Sequence, residues 1–247
     1  MHALVSGAGI ADPALGYRLH AHRRVVLAGD AAHCASPVSG MSTTLALAGA
    51  PLTGHGDDVG VELVEERRLG LGVLRPAGEV PFDEVGDELL PPHWAELWPS
   101  ALALAAEPFP AGARVLEIGC GLGLPALAAA RAGADVLATD LSATAVDLVR
   151  RSADRNGLDL RAEARSWSDP ALEPVDLVLG ADLLYGHRNV VELLEVLPPL
   201  APEVWLTDPG RPLAPEFLAA ARTTWTVTSR PTGQEGVALH RLVRGST

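Results

Sequence analysis

Between Val115 and Gly123 the chain reads V-L-E-I-G-C-G-L-G, an apolar run that breaks into glycines at every second position. Such a run is a buried strand ending in a tight turn, because glycine alone accepts left-handed torsions freely and leaves main chain bare for close approach. A helix is expected over 125–132, its proline suited to the first turn. Strand, glycine turn and helix in that order open an α/β unit, and the rest of the chain repeats the alternation.

Strands are expected at 114–118, 135–139, 160–164, 175–181, 203–207, 224–229 and 237–243. Between them lie a helix capped by Ser142 and stopped by Asn156-Gly157, and helices over 189–197 and 214–223. The fold class that follows is α/β, a Rossmann-like doubly wound seven-stranded sheet with a short N-terminal βα appendage. Residues 1–50 form that appendage, 51–60 read as a linker, and 61–247 as the main domain. Within the latter, 61–74 suggests a pair of strands in a hairpin and 75–92 an acidic, proline-marked loop.

Composition narrows the function. The 247 residues carry 31 acids against 19 Lys and Arg, a formal charge of −12, so a nucleic acid held through many phosphates is not expected as partner. Two cysteines, Cys34 and Cys120, are too few for a disulfide framework or a cysteine-built zinc site, which makes a reducing, cytoplasmic setting the expectation. No stretch is long and clean enough to span a bilayer, since the most apolar one, 115–130, contains Glu117 and the glycines. His20 and His22 lack metal-ligand spacing, and no G-x-S-x-G elbow occurs, so neither a metal nor a serine nucleophile is predicted.

The glycine spacing itself points to a ligand class. A dinucleotide fingerprint puts its third glycine at position 124, where this chain has Leu124. Glu117, just ahead of the glycines, would repel a phosphate and suit an ammonium or sulfonium. Asp140 ends the second strand about 20 residues after Gly119, the interval at which an acid meets ribose hydroxyls in such folds. A ribose, a positive charge and no phosphate together describe S-adenosylmethionine.

The E-x-G-x-G-x-G run with its strand-end Asp140 resembles the class I S-adenosylmethionine-dependent methyltransferases. That resemblance implies a cofactor site made by Trp98, Glu117, Gly119, Gly121, Gly123, Asp140, Leu141, Ser166, Trp167 and Asp182. Trp94 and Trp98, four apart, would share one helical face and wall the cofactor or fill the core. Three further segments, Asp182-Leu-Leu-Tyr185, Asp208-Pro-Gly-Arg211 and the run 91–99, resemble the electron-transfer-flavoprotein β-subunit lysine methyltransferases over about residues 61–243. Ser100 departs from that branch's pattern, which has glycine there. The resemblance implies methyl transfer to a protein lysine, with Asp182 and Tyr185 as catalytic candidates that position the amine and accept its hydrogen bonds. A small-molecule amine or hydroxyl is the alternative acceptor.

Near the amino terminus, Leu4-Val-Ser-Gly-Ala-Gly-Ile-Ala-Asp12 and Arg24-Val-Val-Leu-Ala-Gly-Asp-Ala-Ala-His33 resemble two motifs of FAD-dependent aromatic hydroxylases. In that family a large domain separates the motifs, whereas here they nearly touch, and Asp12 replaces the third glycine where a pyrophosphate should lie. Residues 1–50 therefore read as a truncated remnant, with an FAD-binding monooxygenase fragment as the reading of another class.

Overall fold

A computed structural model describes residues 62–245 apart from 86 and 87, so the expected appendage, linker and flavoprotein remnant lie outside the described residues. The described chain begins with an antiparallel hairpin, β1 (Leu63–Arg68) and β2 (Leu71–Pro76). Leu69 and Gly70 both take positive φ, 51° and 78°, the torsions that let a two-residue turn match strand twist. Residues 75–92 correct the expectation of a plain loop, because Asp83–Val85 (β3) and Glu88–Leu90 (β4) pair with each other. Strands of three residues are too short for alternation to register in sequence.

The expected seven-stranded sheet is present. It comprises β5 (Arg114–Ile118), β6 (Asp135–Asp140), β7 (Arg161–Ala164), β8 (Leu177–Ala181), β9 (Glu203–Asp208), β10 (Thr226–Pro231) and β11 (Ala238–Val243), in the order β10-β11-β9-β8-β5-β6-β7. The five strands β5 to β9 run parallel, and β11 enters antiparallel between β9 and β10. Strand order reverses between β5 and β8, and in open α/β sheets a ligand crevice forms at that reversal, outside the carboxyl ends of the strands.

Helices cover both faces. On one lie α1 (Pro99–Ala105), α2 (Leu124–Arg131) and α3 (Ala143–Asn156), packed with Val115, Val136, Leu177 and Trp205. On the other lie α4 (His187–Leu200) and α5 (Ala214–Ala221), packed with Leu116, Ile118, Val178 and Leu206. Consecutive strand residues thus serve opposite cores, which is why these strands read as unbroken apolar runs. Leu124 and Leu127 on α2 are fully buried, and each such side chain contributes about 1.5–3 kcal/mol through burial.

The predicted caps of α3 are present. Ser142 Oγ accepts the Ala145 N–H, and Gly157 closes the helix at φ 64°. The same helix anchors the hairpin: Asn156 bonds both the N–H and C=O of Gly72, and Ser152 Oγ accepts the Leu74 N–H. Trp94 and Trp98 do not share a helical face. Trp94 lies in a 3-10 turn, His93–Ala95, and Trp98 is the residue that precedes α1. The proline that opens α1 at position 99 restricts Trp98 to extended torsions and so separates the two segments.

Candidate functional site

The glycine turn joins β5 to α2 at the strand reversal, and all three of its glycines take positive φ. At two positions a side chain would force its neighbours to shift. A Cβ on Gly119 would stand 2.8 Å from Leu183 Cδ2, and one on Gly123 would stand 2.7 Å from Val149 Cγ2. The turn is fastened to β6 through the Cys120 N–H on Thr139 O (2.9 Å) and the Gly121 N–H on Asp140 Oδ2 (2.9 Å). Asp140 Oδ1 accepts the Ser142 N–H at 2.9 Å, so this one carboxylate ties the glycine turn to the start of α3.

Glu117 does not face the crevice as the sequence suggested. Its side chain is buried, and Oε2 accepts the Ala126 N–H of α2 at 2.7 Å. Burial pushes its pKa up to about 8, against the pull of that hydrogen bond. The physical reason is strand alternation: Glu117 points into the face covered by α2, where the bare N–H groups of a helix start attract a carboxylate. Cys120 is buried filler, and burial raises its thiol pKa.

The loop after β7 supplies the next wall. The ring of Trp167 lies against the glycine turn, its Cζ3 being 3.4 Å from a Cβ built on Gly119. Its indole N–H donates to Glu192 Oε2 on α4 at 2.8 Å, and Arg188 holds the other oxygen of that carboxylate at 2.7 Å. Ser166 turns toward Ser168, with their hydroxyls 2.8 Å apart. Leu141, which follows Asp140, is exposed. These residues therefore gather along the ends of β5, β6 and β7.

The ends of β8 and β9 carry a different arrangement. Asp182 is buried and sits at φ 60°, a left-handed torsion uncommon outside glycine. Both its oxygens are occupied by Arg211, Oδ1 by Nε at 2.7 Å and Oδ2 by Nη2 at 3.0 Å. Asp208 fixes the arginine's main chain, its Oδ1 accepting the N–H groups of Gly210 and Arg211, both at 2.7 Å. The hydrogen bonds from Arg211 to Asp182 raise the guanidinium pKa further, while burial raises that of Asp208.

Tyr185 is half exposed beside this pair, at 51%. Its ring meets His93 edge-on with centroids 5.7 Å apart, and His93 meets Trp98 at 6.2 Å. The Trp98 indole N–H donates to His93 O at 2.7 Å. Burial raises the Tyr185 pKa, so the phenol stays protonated at neutral pH. Burial and then the Arg211 charge lower that of His93. Arg211 and His93 were not assigned to the site from sequence. The Asp208-Pro-Gly-Arg211 segment marked the place, but the pairing spans 29 residues and has no local signature.

Residues 115–200 match the family model described as a methyltransferase domain. Among curated proteins, the chain is 38% identical to a magnesium-protoporphyrin O-methyltransferase of Rhodobacter capsulatus over 31% of this chain and 35% of that one. It is 30% identical to the electron transfer flavoprotein beta subunit lysine methyltransferase of Danio rerio over 49% of this chain and 51% of that one. The chain thus spans only a third to a half of the length of these relatives. Among solved structures, the 16S rRNA methyltransferase RsmC of Thermus thermophilus, in complex with AdoMet and guanosine, superposes with TM-score 0.55 at 16% identity. That likeness covers 74% of this chain and 50% of the other and concerns the fold. The sheet described above is the Rossmann-like methyltransferase fold, and residues 115–200 match a methyltransferase domain within it.

Proposed function

We propose that this chain transfers the methyl group of S-adenosylmethionine to an amine, that of a protein lysine side chain. The observation that carries the reading is the join of Asp140 to the glycine turn: a strand-end carboxylate at the strand reversal, beside main chain kept bare by Gly119 and Gly123. The residues present fit the cofactor. Asp140 would take the ribose hydroxyls, Gly119, Gly121 and Gly123 would pass beneath the nucleoside, and Leu141, Ser166 and Trp167 would wall it. Trp98 would stand at the mouth with His93. Asp182 closes the far end of the crevice.

When bound, the cofactor supplies a methyl group on a sulfonium, already activated toward a lone pair. What the protein contributes is alignment and exclusion of water. The Tyr185 hydroxyl, neutral and half exposed, accepts a hydrogen bond from the incoming amine and directs its lone pair inward. Asp182 has both oxygens on Arg211 and acts as a fixed, neutralised acceptor at the back of the site. A protein acceptor is favoured by the exposure of Tyr185 and Leu141, since a small molecule is commonly enclosed over most of its surface.

Thermal shift tests the cofactor and labelling tests the acceptor. S-adenosylhomocysteine should raise the melting temperature, whereas stabilisation by FAD alone overturns the reading. Asp140→Ala should weaken S-adenosylhomocysteine binding at least about a hundredfold, because it removes the ribose partner and frees the turn together. With radiolabelled cofactor and a cell extract, label should appear in a protein band and survive as methylated lysine. Label confined to small extractable compounds would replace lysine with a small-molecule acceptor.

A further inference from the structure

We propose that Glu192 is a positioning residue for the cofactor: from α4 it takes the indole N–H of Trp167 and so holds the opposite edge of that ring against the glycine turn. The inference rests on the methyltransferase reading, in which Trp167 walls the nucleoside.

The Trp167 ring spans two elements. Its N–H donates to Glu192 Oε2 at 2.8 Å, while Cζ3 and Cε3, on the far edge, stand 3.4 and 3.9 Å from a Cβ built on Gly119. An indole is one rigid plane, so whatever fixes one edge fixes the other. The main chain beneath the ring is already placed. The Arg165 N–H donates to Asp140 O at 2.7 Å, and the Asp169 N–H closes on Ser166 O at 3.2 Å, which sets Trp167 in a tight turn beside the strand end that carries Asp140. Those bonds locate the Trp167 backbone and leave its two side-chain torsions open, and the ring is only partly buried, so packing alone does not choose among rotamers. The bond to Glu192 makes that choice. The carboxylate is itself anchored, because Oε1 accepts Arg188 Nε at 2.7 Å from one turn earlier on α4. The Arg188 bond, and less strongly the Trp167 bond, hold the Glu192 carboxyl below its ordinary range against the pull of burial. The acceptor is therefore charged at neutral pH, and a charged acceptor holds an N–H more firmly than a neutral one.

The test reads S-adenosylhomocysteine affinity on the full chain. Glu192→Leu should weaken it about tenfold, whereas Glu192→Gln, whose amide oxygen still accepts the N–H, should stay within about threefold of wild type. Trp167→Phe keeps an aromatic ring and loses the N–H, so adding Glu192→Leu to it should change affinity by less than about twofold. A helix residue with a merely structural role would give the same loss in both backgrounds and would not be rescued by the amide. A loss of about tenfold that persists in Trp167→Phe, a Glu192→Gln as weak as Glu192→Leu, or a Glu192→Leu within about twofold of wild type overturns the proposal.

A second measurement needs no ligand. Subtracting the emission of Trp167→Phe from that of the wild type isolates one of the five tryptophans of the chain. Acrylamide should quench this component about twofold more strongly when Glu192 is replaced by Leu, because the released ring turns toward solvent. Unchanged quenching overturns the proposal. Failure of S-adenosylhomocysteine to bind the wild type overturns the methyltransferase reading instead, and the quenching still decides whether Glu192 holds the ring.

Discussion

The two halves of the proposed site are built by different means. At the ends of β5 and β6 the site is main chain: a glycine turn with left-handed torsions, fastened by backbone N–H groups to Thr139 O and the Asp140 carboxylate. At the ends of β8 and β9 it is side chains: an arginine and an aspartate from loops 29 residues apart, with Tyr185 and His93 touching at the rim. A main-chain site is rigid because moving it disturbs strand, turn and helix together. A side-chain site can be rewritten one residue at a time. On the reading proposed above, the first half, which would hold the cofactor, is the fixed part of the site, and the second half, which would face the acceptor, is where specificity would reside.

The sharpest way to break that contrast is Gly123→Ala. The new Cβ would stand 2.7 Å from Val149, a fully buried β-branched residue on α3 with little room to turn, and φ 68° adds its own cost. The expected loss is about 3 kcal/mol in chemical denaturation, with S-adenosylhomocysteine affinity falling at least about tenfold. A neutral outcome would show that the turn is softer than its contacts imply.

The same contrast explains what the sequence disclosed. All seven strands of the main sheet and the caps of α3 at Ser142 and Gly157 follow from apolar runs and short-range signals, and the structure has them. The glycine turn and Asp140 were readable too, because both are strand ends at a regular interval. What escaped depends on contacts between distant segments or on burial direction. Glu117 looked like a ligand-facing charge until alternation and the start of α2 placed it inside. Trp94 and Trp98 looked like one face until Pro99 divided them. Asp182 was a candidate without any sign of Arg211 on it.

On the acceptor half, Asp182→Ala should cost about 2–4 kcal/mol, because it strands a mostly buried guanidinium without its carboxylate. Binding of S-adenosylhomocysteine should stay within about threefold, since Asp140 and the glycine turn are untouched. Denaturation and titration on the same preparation separate the two quantities. Loss of cofactor binding as large as that of Asp140→Ala would mean that the halves are not independent.

The smallest expected effect sharpens the contrast from inside the cofactor half, where one buried carboxylate should act on stability and not on ligand charge. Glu117 has its pKa raised by burial from the ordinary carboxylate value of 4.5 to about 8. Between those values the native state holds a proton that the unfolded chain has released, so the stability of the folded protein falls as pH rises through this window. Below the unfolded value both states are protonated, and the slope from this group vanishes.

Glu117→Gln removes the titration while its amide oxygen can still accept the Ala126 N–H. Cofactor-free denaturation at pH 6 and pH 7 should then show the variant gaining about 1 kcal/mol on the wild type over that unit of pH. The relative affinities of S-adenosylmethionine and S-adenosylhomocysteine, which differ by the sulfonium charge, should be unchanged within about twofold. A variant that follows the wild type in parallel with pH, yet loses preference for the sulfonium, would put the Glu117 charge back in the ligand site.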